Sequence, residues 1–227
     1  MRIDPAGLPF IGGALALGLI FGRGVTWLLL WPFLVLSAFF LFFFRDPERR
    51  LPSGGDEVLS PADGRVLVAG EAVAAAKPEG TWQQISIFLS PLDVHVNRVP
   101  VSGRVTRVSY QPGTFLPAYH QDAAATNERS EIWIDHRGQM VVARQIVGIL
   151  ARRVVCRVKS GADVLAGDRY GIMKFGSRMD IFLPASATIR VAVGDLVRGG
   201  ETVVAVLNWP DARVRPGSAG SASAVSC

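Results

Sequence analysis

Histidine and cysteine are scarce in this chain: its 227 residues contain three histidines, His95, His120 and His136, and two cysteines, Cys156 and Cys227. Two distant cysteines make neither a disulfide framework nor a ligand set for zinc, so no metal is expected and redox chemistry is set aside. With three imidazoles, any histidine-borne proton transfer has few candidates. Also missing, after Pro52, is any long stretch with a 3.6-residue apolar period, so helices should be few there. The charge balance is mild, 24 basic against 19 acidic residues for a net +5, and leaves nucleic acid and an anionic membrane surface both open as partners.

What is present begins with hydrophobicity. Ala6 to Gly22 carries no charge and five glycines, Arg23 interrupts, and Gly24 to Phe44 gives 21 further uncharged residues rich in Leu, Phe and Trp. The second run is long enough to span a bilayer; the first, at 17 residues, is marginal, so two spans, a shallow hairpin or one span after an interfacial piece all remain open. No small-residue cleavage site comes after it, so the segment is expected to stay as an anchor over residues 1–50. Arg45, Arg49 and Arg50 read as interfacial anchors that favour the cytoplasmic side of the cell (inner) membrane for the remainder of the chain.

From residue 51 to 212 the texture is short Val, Ile and Leu runs broken by Gly, Pro and Asp: Gly64 to Ala69, Gln84 to Leu89, Gly103 to Ser109, Glu131 to Asp135, Met140 to Val147, Val154 to Val158, Asp180 to Leu183 and Thr202 to Leu207. This predicts a mainly β domain. Two Gly-Asp turns with flanking valines, at Gly167-Asp168 and Gly194-Asp195, resemble those of biotinyl and lipoyl domains and imply a barrel-sandwich-hybrid-like fold. Residues 213–227 are Gly, Ser and Ala rich and read as a disordered tail.

The chemistry-bearing candidate is Gly176-Ser177, set between two β-type runs. A serine hydroxyl in a tight turn can add to the preceding carbonyl, and an N-to-O acyl shift gives an ester. β-Elimination then releases the upstream chain and leaves dehydroalanine, which hydrolyses to a pyruvoyl group. A glycine before the serine removes the Cβ that would hinder the approach. Alone the dipeptide is an ordinary turn, and context decides. In order the chain carries Phe43-Phe44-Arg45-Asp46-Pro47-Glu48-Arg49, Ser60-Pro61-Ala62-Asp63-Gly64, Asp93-Val94-His95-Val96-Asn97-Arg98-Val99-Pro100, Asn127-Glu128-Arg129 and Phe175-Gly176-Ser177-Arg178. Across most of its length it resembles the phosphatidylserine decarboxylase proenzymes, and its length resembles their short, archaeal-type branch.

That resemblance implies cleavage between Gly176 and Ser177 into a β chain, 1–176, and an α chain, 177–227, that stay together, with a higher oligomer left open. It implies a pyruvate (pyruvoyl) cofactor made from Ser177, a Schiff base with the amine of phosphatidylserine, loss of CO2 and release of phosphatidylethanolamine. It implies no nucleic acid. The family's self-cleavage resembles a Ser-His-Asp arrangement, which maps onto Ser177, His95 and Asp63. Longer members carry His-x-x-His where this chain has His95-Val96-Asn97-Arg98. Either His95 then serves both cleavage and decarboxylation, or His120, in the loop from Gln111 to Ala125, supplies the missing function. Arg129 either binds the substrate's carboxylate or phosphate, or closes a loop as a buried ion pair. Without the family, Asp63 is a turn aspartate; His136 reads as structural in a hairpin turn. A second reading, a membrane-tethered biotinyl or lipoyl-like carrier modified at Lys174, rests on Met173-Lys174-Phe175.

Overall fold

The computed structural model describes residues 2–52, 54–74, 77–120, 122–149, 154–174 and 176–209. The tail expected over 213–227 and Phe175 lie outside them. The apolar N-terminus folds as a helical hairpin, α1 (Leu8–Gly24) and α2 (Leu30–Phe43), joined through a 3-10 turn at Trp27–Leu29. Pro5–Gly24 is long and apolar enough to cross a membrane, and Trp27–Phe43 is a shorter apolar helix. Glycines that made the first run marginal serve the packing: a Cβ on Gly18 would lie 2.8 Å from the Cβ of Phe33, so the small residue lets the helices close up.

The described residues form sixteen strands. β1 (Arg2–Ile3) and β2 (Arg45–Asp46) pair to close the foot of the hairpin. The β domain contains β3 (Glu57–Leu59), β4 (Gly64–Glu71), β5 (Trp82–Leu89), β6 (Val96–Arg98), β7 (Gly103–Gln111), β8 (Arg129–His136), β9 (Gln139–Val147), β10 (Val154–Cys156), β11 (Asp163–Val164), β12 (Arg169–Met173), β13 (Ser177–Pro184), β14 (Thr188–Ile189), β15 (Leu196–Val197) and β16 (Val203–Val206). Eight of them form one antiparallel sheet in the order β11-β7-β8-β9-β13-β5-β4-β15, and two three-stranded sheets, β10-β12-β6 and β14-β16-β3, complete the domain. The fold is mainly β, as the sequence predicts. Among the described residues the only helix after Phe43 is the single turn α3 (Ala123–Thr126).

The two-residue period of a strand decides which side chains meet the core. Along β13, Met179, Ile181 and Leu183 join the main core with Ile85, Ile87 and Leu89 of β5 and Val141 and Ala143 of β9. Ser177 shares their parity. The alternate residues Arg178 and Asp180 face the other way, into a buried polar cluster with Ser86 and Gln84. Both Gly-Asp turns form, with Asp168 accepting from the Leu165 N–H and Asp195 from the Ala192 N–H. The hairpin turn after His136 has φ of 53° at Arg137 and 88° at Gly138, the paired positive values of a tight two-residue β turn.

The hairpin's foot is docked on the β domain. Phe43 and Phe44 are buried with Val94, Val96 and Ile172, and buried Asp4 gives both carboxylate oxygens to Arg157, at 2.6 and 2.8 Å.

Candidate active site

Ser177 opens the central strand of the large sheet. Its Cα partners are Leu89 on one side and Val147 on the other. The residue is fully buried, and among the described residues its Oγ has no hydrogen-bond partner. Leaving a buried hydroxyl unpaired costs roughly 1–3 kcal/mol, an expense that alanine in the same place would avoid. Gly176, just before it, has φ 75°, in the left-handed region that glycine adopts without Cβ strain.

His95 faces this pair. Its Nδ1 lies 3.0 Å from the Asp93 carbonyl oxygen, and its Nε2 accepts a long 3.4 Å contact from the Gly176 N–H. A carbonyl only accepts, so Nδ1 carries the proton and Nε2 is left as a lone pair, the role that the Gly176 contact also requires. Burial lowers the His95 pKa to about 4; the Asp93 carbonyl opposes this, and the Arg45 guanidinium adds to it. Phe43, at the end of α2, packs its ring 4.2 Å from the imidazole, centroid to centroid. The imidazole is thus a neutral base at ordinary pH.

Two other residues fix the Gly176-Ser177 pair. A Cβ on Gly148 would stand 2.3 Å from the Gly176 carbonyl oxygen, so that carbonyl passes directly over the glycine. Asn127 uses its whole amide: Nδ2 donates to the Leu116 and Val147 carbonyls at 2.8 Å, and Oδ1 accepts from the Leu116 N–H and Thr114 hydroxyl. It therefore ties the 114–116 segment to Val147, the ladder partner of Ser177. Beneath that segment Gly176 opens on an apolar cleft of about 350 Å³, walled by Phe88, Pro91, Pro117, Ala118, Tyr119, Gly148 and Ile149.

The site thus joins a buried serine hydroxyl, unpaired among the described residues, a left-handed glycine before it, and an imidazole nitrogen at that glycine's N–H. Comparison with known proteins gives it a family. Residues 36–205 match the family described as Phosphatidylserine decarboxylase. The chain is 41% identical over 203 residues to the phosphatidylserine decarboxylase proenzyme of Ralstonia pickettii (strain 12J), covering 89% of this chain and 94% of that protein. It is 39% identical over 199 residues to the proenzyme of the same name from Desulfotalea psychrophila (strain LSv54 / DSM 12343), covering 87% and 93%. The chain belongs to the phosphatidylserine decarboxylase family.

Within this decarboxylase fold the other candidate residues take up distinct places. Asp63, mapped onto a Ser-His-Asp arrangement, makes no hydrogen bond to His95 among the described residues. Its carboxylate takes Arg49 Nη2 at 2.7 and 2.9 Å and the Gly199 N–H at 2.8 Å, and a backbone carbonyl stands at His95 Nδ1 instead. Arg49 is correspondingly buried in pairs with Asp63 and Glu201, which corrects its reading as an interfacial anchor. Arg98 is buried as well, bonded to Asp46 and to the carbonyls of Pro47 and Gly167, and its pKa is lowered by burial first. His120 is exposed and faces Asp122 at 3.6 Å. Arg129 donates to the Ala125 carbonyl at 2.6 Å and sits 3.8 Å from Glu131, and it is not among the residues that wall the Gly176 cleft. Lys174 is half-buried with its ammonium 4.7 Å above the Phe10 ring, at the hairpin's foot. Sequence reasoning missed Gly148, the Asp93 carbonyl and the role of Asn127; the last stood inside the Asn127-Glu128-Arg129 motif, whereas nothing local marks Gly148 among the chain's 24 glycines.

Proposed function

We propose that the chain is a self-processing phosphatidylserine decarboxylase that cuts itself between Gly176 and Ser177. The observation that carries this reading is the buried Ser177 Oγ, without a partner among the described residues, directly after Gly176, whose N–H lies 3.4 Å from His95 Nε2. His95 Nε2 takes the hydroxyl proton as Oγ adds to the Gly176 carbonyl, and the shift of the acyl group from nitrogen to oxygen leaves residues 1–176 as an ester on Ser177. Removal of the Ser177 α-proton then expels the Gly176 carboxylate. Hydrolysis of the resulting dehydroalanine with loss of ammonia ends the sequence.

The residues fit the group thus formed: position 177 has room for a small planar unit with no hydrogen bond to surrender, and Gly176 opens on the apolar cleft. A pyruvoyl group at that N-terminus supplies an electrophilic carbonyl for the serine amine of phosphatidylserine and an electron sink for the loss of CO2. Around it His95 holds or returns the proton at the reacting carbon, while the Phe88, Pro117 and Ile149 walls exclude water and accept the apolar part of a lipid. Asp63 acts at a distance, holding Arg49 and the Gly199 N–H and so the segment that joins the hairpin to the domain.

On this reading residues 1–50 are the membrane element and 51–212 the catalytic domain, with the α chain starting at 177. The hairpin's length and apolar surface support seating in the cell's inner membrane, and Arg2 and Arg45 at its foot support a cytoplasmic catalytic domain. The reading is tested by supplying the purified chain with phosphatidylserine in detergent micelles. Release of CO2 with one equivalent of phosphatidylethanolamine supports it; a fully processed protein that leaves phosphatidylserine unchanged would sink the substrate assignment.

Gly148→Ala gives a sharper check. The added methyl falls 2.3 Å from the Gly176 oxygen, a backbone atom with little freedom to yield, so the carbonyl must move off the line of Ser177 attack. Misplacing a reacting group by about 1 Å costs on the order of 100-fold in rate. Pulse-labelled Gly148→Ala chain should therefore be cut at least tenfold more slowly than wild type, and an unchanged half-time would show that the carbonyl's placement does not limit the reaction.

A further inference from the structure

A second cavity, of about 300 Å³, lies at the foot of the hairpin and shares no wall residue with the Gly176 cleft. Four arginines line it, Arg2, Arg49, Arg98 and Arg169, with Glu48 and Asp168 as its acidic members. The nearby acids are largely committed. Asp168 Oδ2 accepts the Leu165 N–H in its turn, and Asp46 gives one oxygen to Arg98 and the other to Arg169. Asp63 is held by Arg49 and Gly199, and Glu201 by Arg49 and the Arg50 N–H. Glu48, with a side chain 78% exposed, only approaches Arg2, at 3.9 Å.

The donors are not used up. The Arg49 side chain is 7% exposed; its two terminal nitrogens bind Asp63 and Glu201, but its Nε is buried without a partner among the described residues. The bond from Arg169 to Asp46 runs through Nε alone, and its side chain is 33% exposed. Guanidinium groups gathered on one cavity, with Arg2 and Arg169 the accessible donors among them, suit the tetrahedral oxygens of a phosphate. The height fits too: the apolar surface of α1 begins at Leu8, 60% exposed, directly after the β1–β2 foot that carries Arg2. A bilayer holding the hairpin up to this foot brings its headgroups level with the cavity.

We propose that this cavity is a phosphate-binding site, filled by the phosphodiester of an anionic membrane phospholipid, which fastens the foot of the hairpin to the β domain. The lipid source rests on reading the hairpin as a membrane element; the site is independent of the decarboxylation reading.

The test uses the full chain in phosphatidylcholine and detergent mixed micelles. Bound ligand is counted by native mass spectrometry as phosphatidylglycerol, or inorganic phosphate, is added. Phosphatidylglycerol has no amine to react, so binding is read without turnover, and a failed decarboxylation assay leaves this result standing. Wild type should take up phosphatidylglycerol in preference to phosphatidylcholine, and Arg2→Gln/Arg169→Gln should lose about tenfold or more in affinity, the worth of one or two charge-assisted hydrogen bonds. Arg2→Gln alone, at a side chain 68% exposed, keeps the fold safe and should show a smaller loss in the same direction. If inorganic phosphate binds through these arginines and phosphatidylglycerol does not, the phosphate site stands with free phosphate as its source. Equal affinity for either probe in wild type and both variants overturns the proposal.

Discussion

Replacing Ser177 by alanine should leave a single species of 24.4 kDa under denaturing conditions, where wild type separates into residues 1–176 and a shorter, N-terminally blocked piece starting at position 177. The change removes the attacking oxygen and almost nothing else. Ser177 Oγ has no hydrogen bond to lose, and the site is fully enclosed, so alanine fits without a new cavity of any size. The variant should match or exceed the wild-type melting temperature while its processing falls to nothing. Intact mass analysis reads both species at once. A Ser177→Ala chain still cut at this bond would remove the serine from the mechanism altogether, and an uncut wild-type chain that is folded would do the same for self-processing.

His95→Ala is the second large effect. A positioned general base contributes on the order of 100- to 10,000-fold, so the variant should accumulate as proenzyme with processing slowed at least 100-fold. His120→Ala should process at the wild-type rate, since His120 is exposed and faces Asp122. The reverse pattern would transfer the role to His120. Acid adds an independent arm. His95 titrates near pH 4 in the folded chain because burial between Phe43 and the strands disfavours its charged form. Processing should then be level from about pH 5 to 8 and fall as the pH drops through 4, when Nε2 gains a proton and loses its lone pair. Stability has the matching sign. The unfolded imidazole, at about 6.5, binds its proton before the folded one does. The contribution of neutral His95 is therefore complete above about pH 6.5 and is lost progressively as the pH falls from there toward 4. Circular dichroism melts across that range, wild type against His95→Gln, would register the difference.

Much of this was legible in the sequence because the signals were local. Each of the eight β-type runs coincides with a strand, their inward residues set by alternation, and the positive φ at Gly176, Gly167 and Gly194 is where a glycine was needed. The parity of Ser177 with Met179 and Ile181 comes from the same rule. What sequence could not supply was pairing between distant segments. Asp63 and His95 read as partners through the family pattern, yet Asp63 is taken by an arginine 14 positions earlier and His95 by a carbonyl two positions away. Nor does any pattern reveal that Phe43 closes on His95 or that Gly148 lies under the Gly176 oxygen, since both depend on how three sheets and a hairpin stack. The strands β6 and β12, which hold Asn97 and Gly171, carry arginine, asparagine and glycine among their apolar residues and so do not stand out as Val, Ile and Leu runs.

The proposed cut falls at the head of a strand that is bonded on both flanks, and β15 and β16 beyond it pair with β4 and β3 before it. A proenzyme meeting denaturant can return to its starting point, because its refolding is unimolecular. Once the bond is broken, a melted molecule is two chains that must find each other, and the fragment that begins at 177 must thread the middle of a sheet. Recovery then depends on concentration and competes with aggregation, so the mature protein persists through the height of its unfolding barrier. On the proposed reading, self-cleavage makes folding a one-way event, and a scan-rate dependence of melting, expected after processing and absent in the Ser177→Ala chain, is its signature.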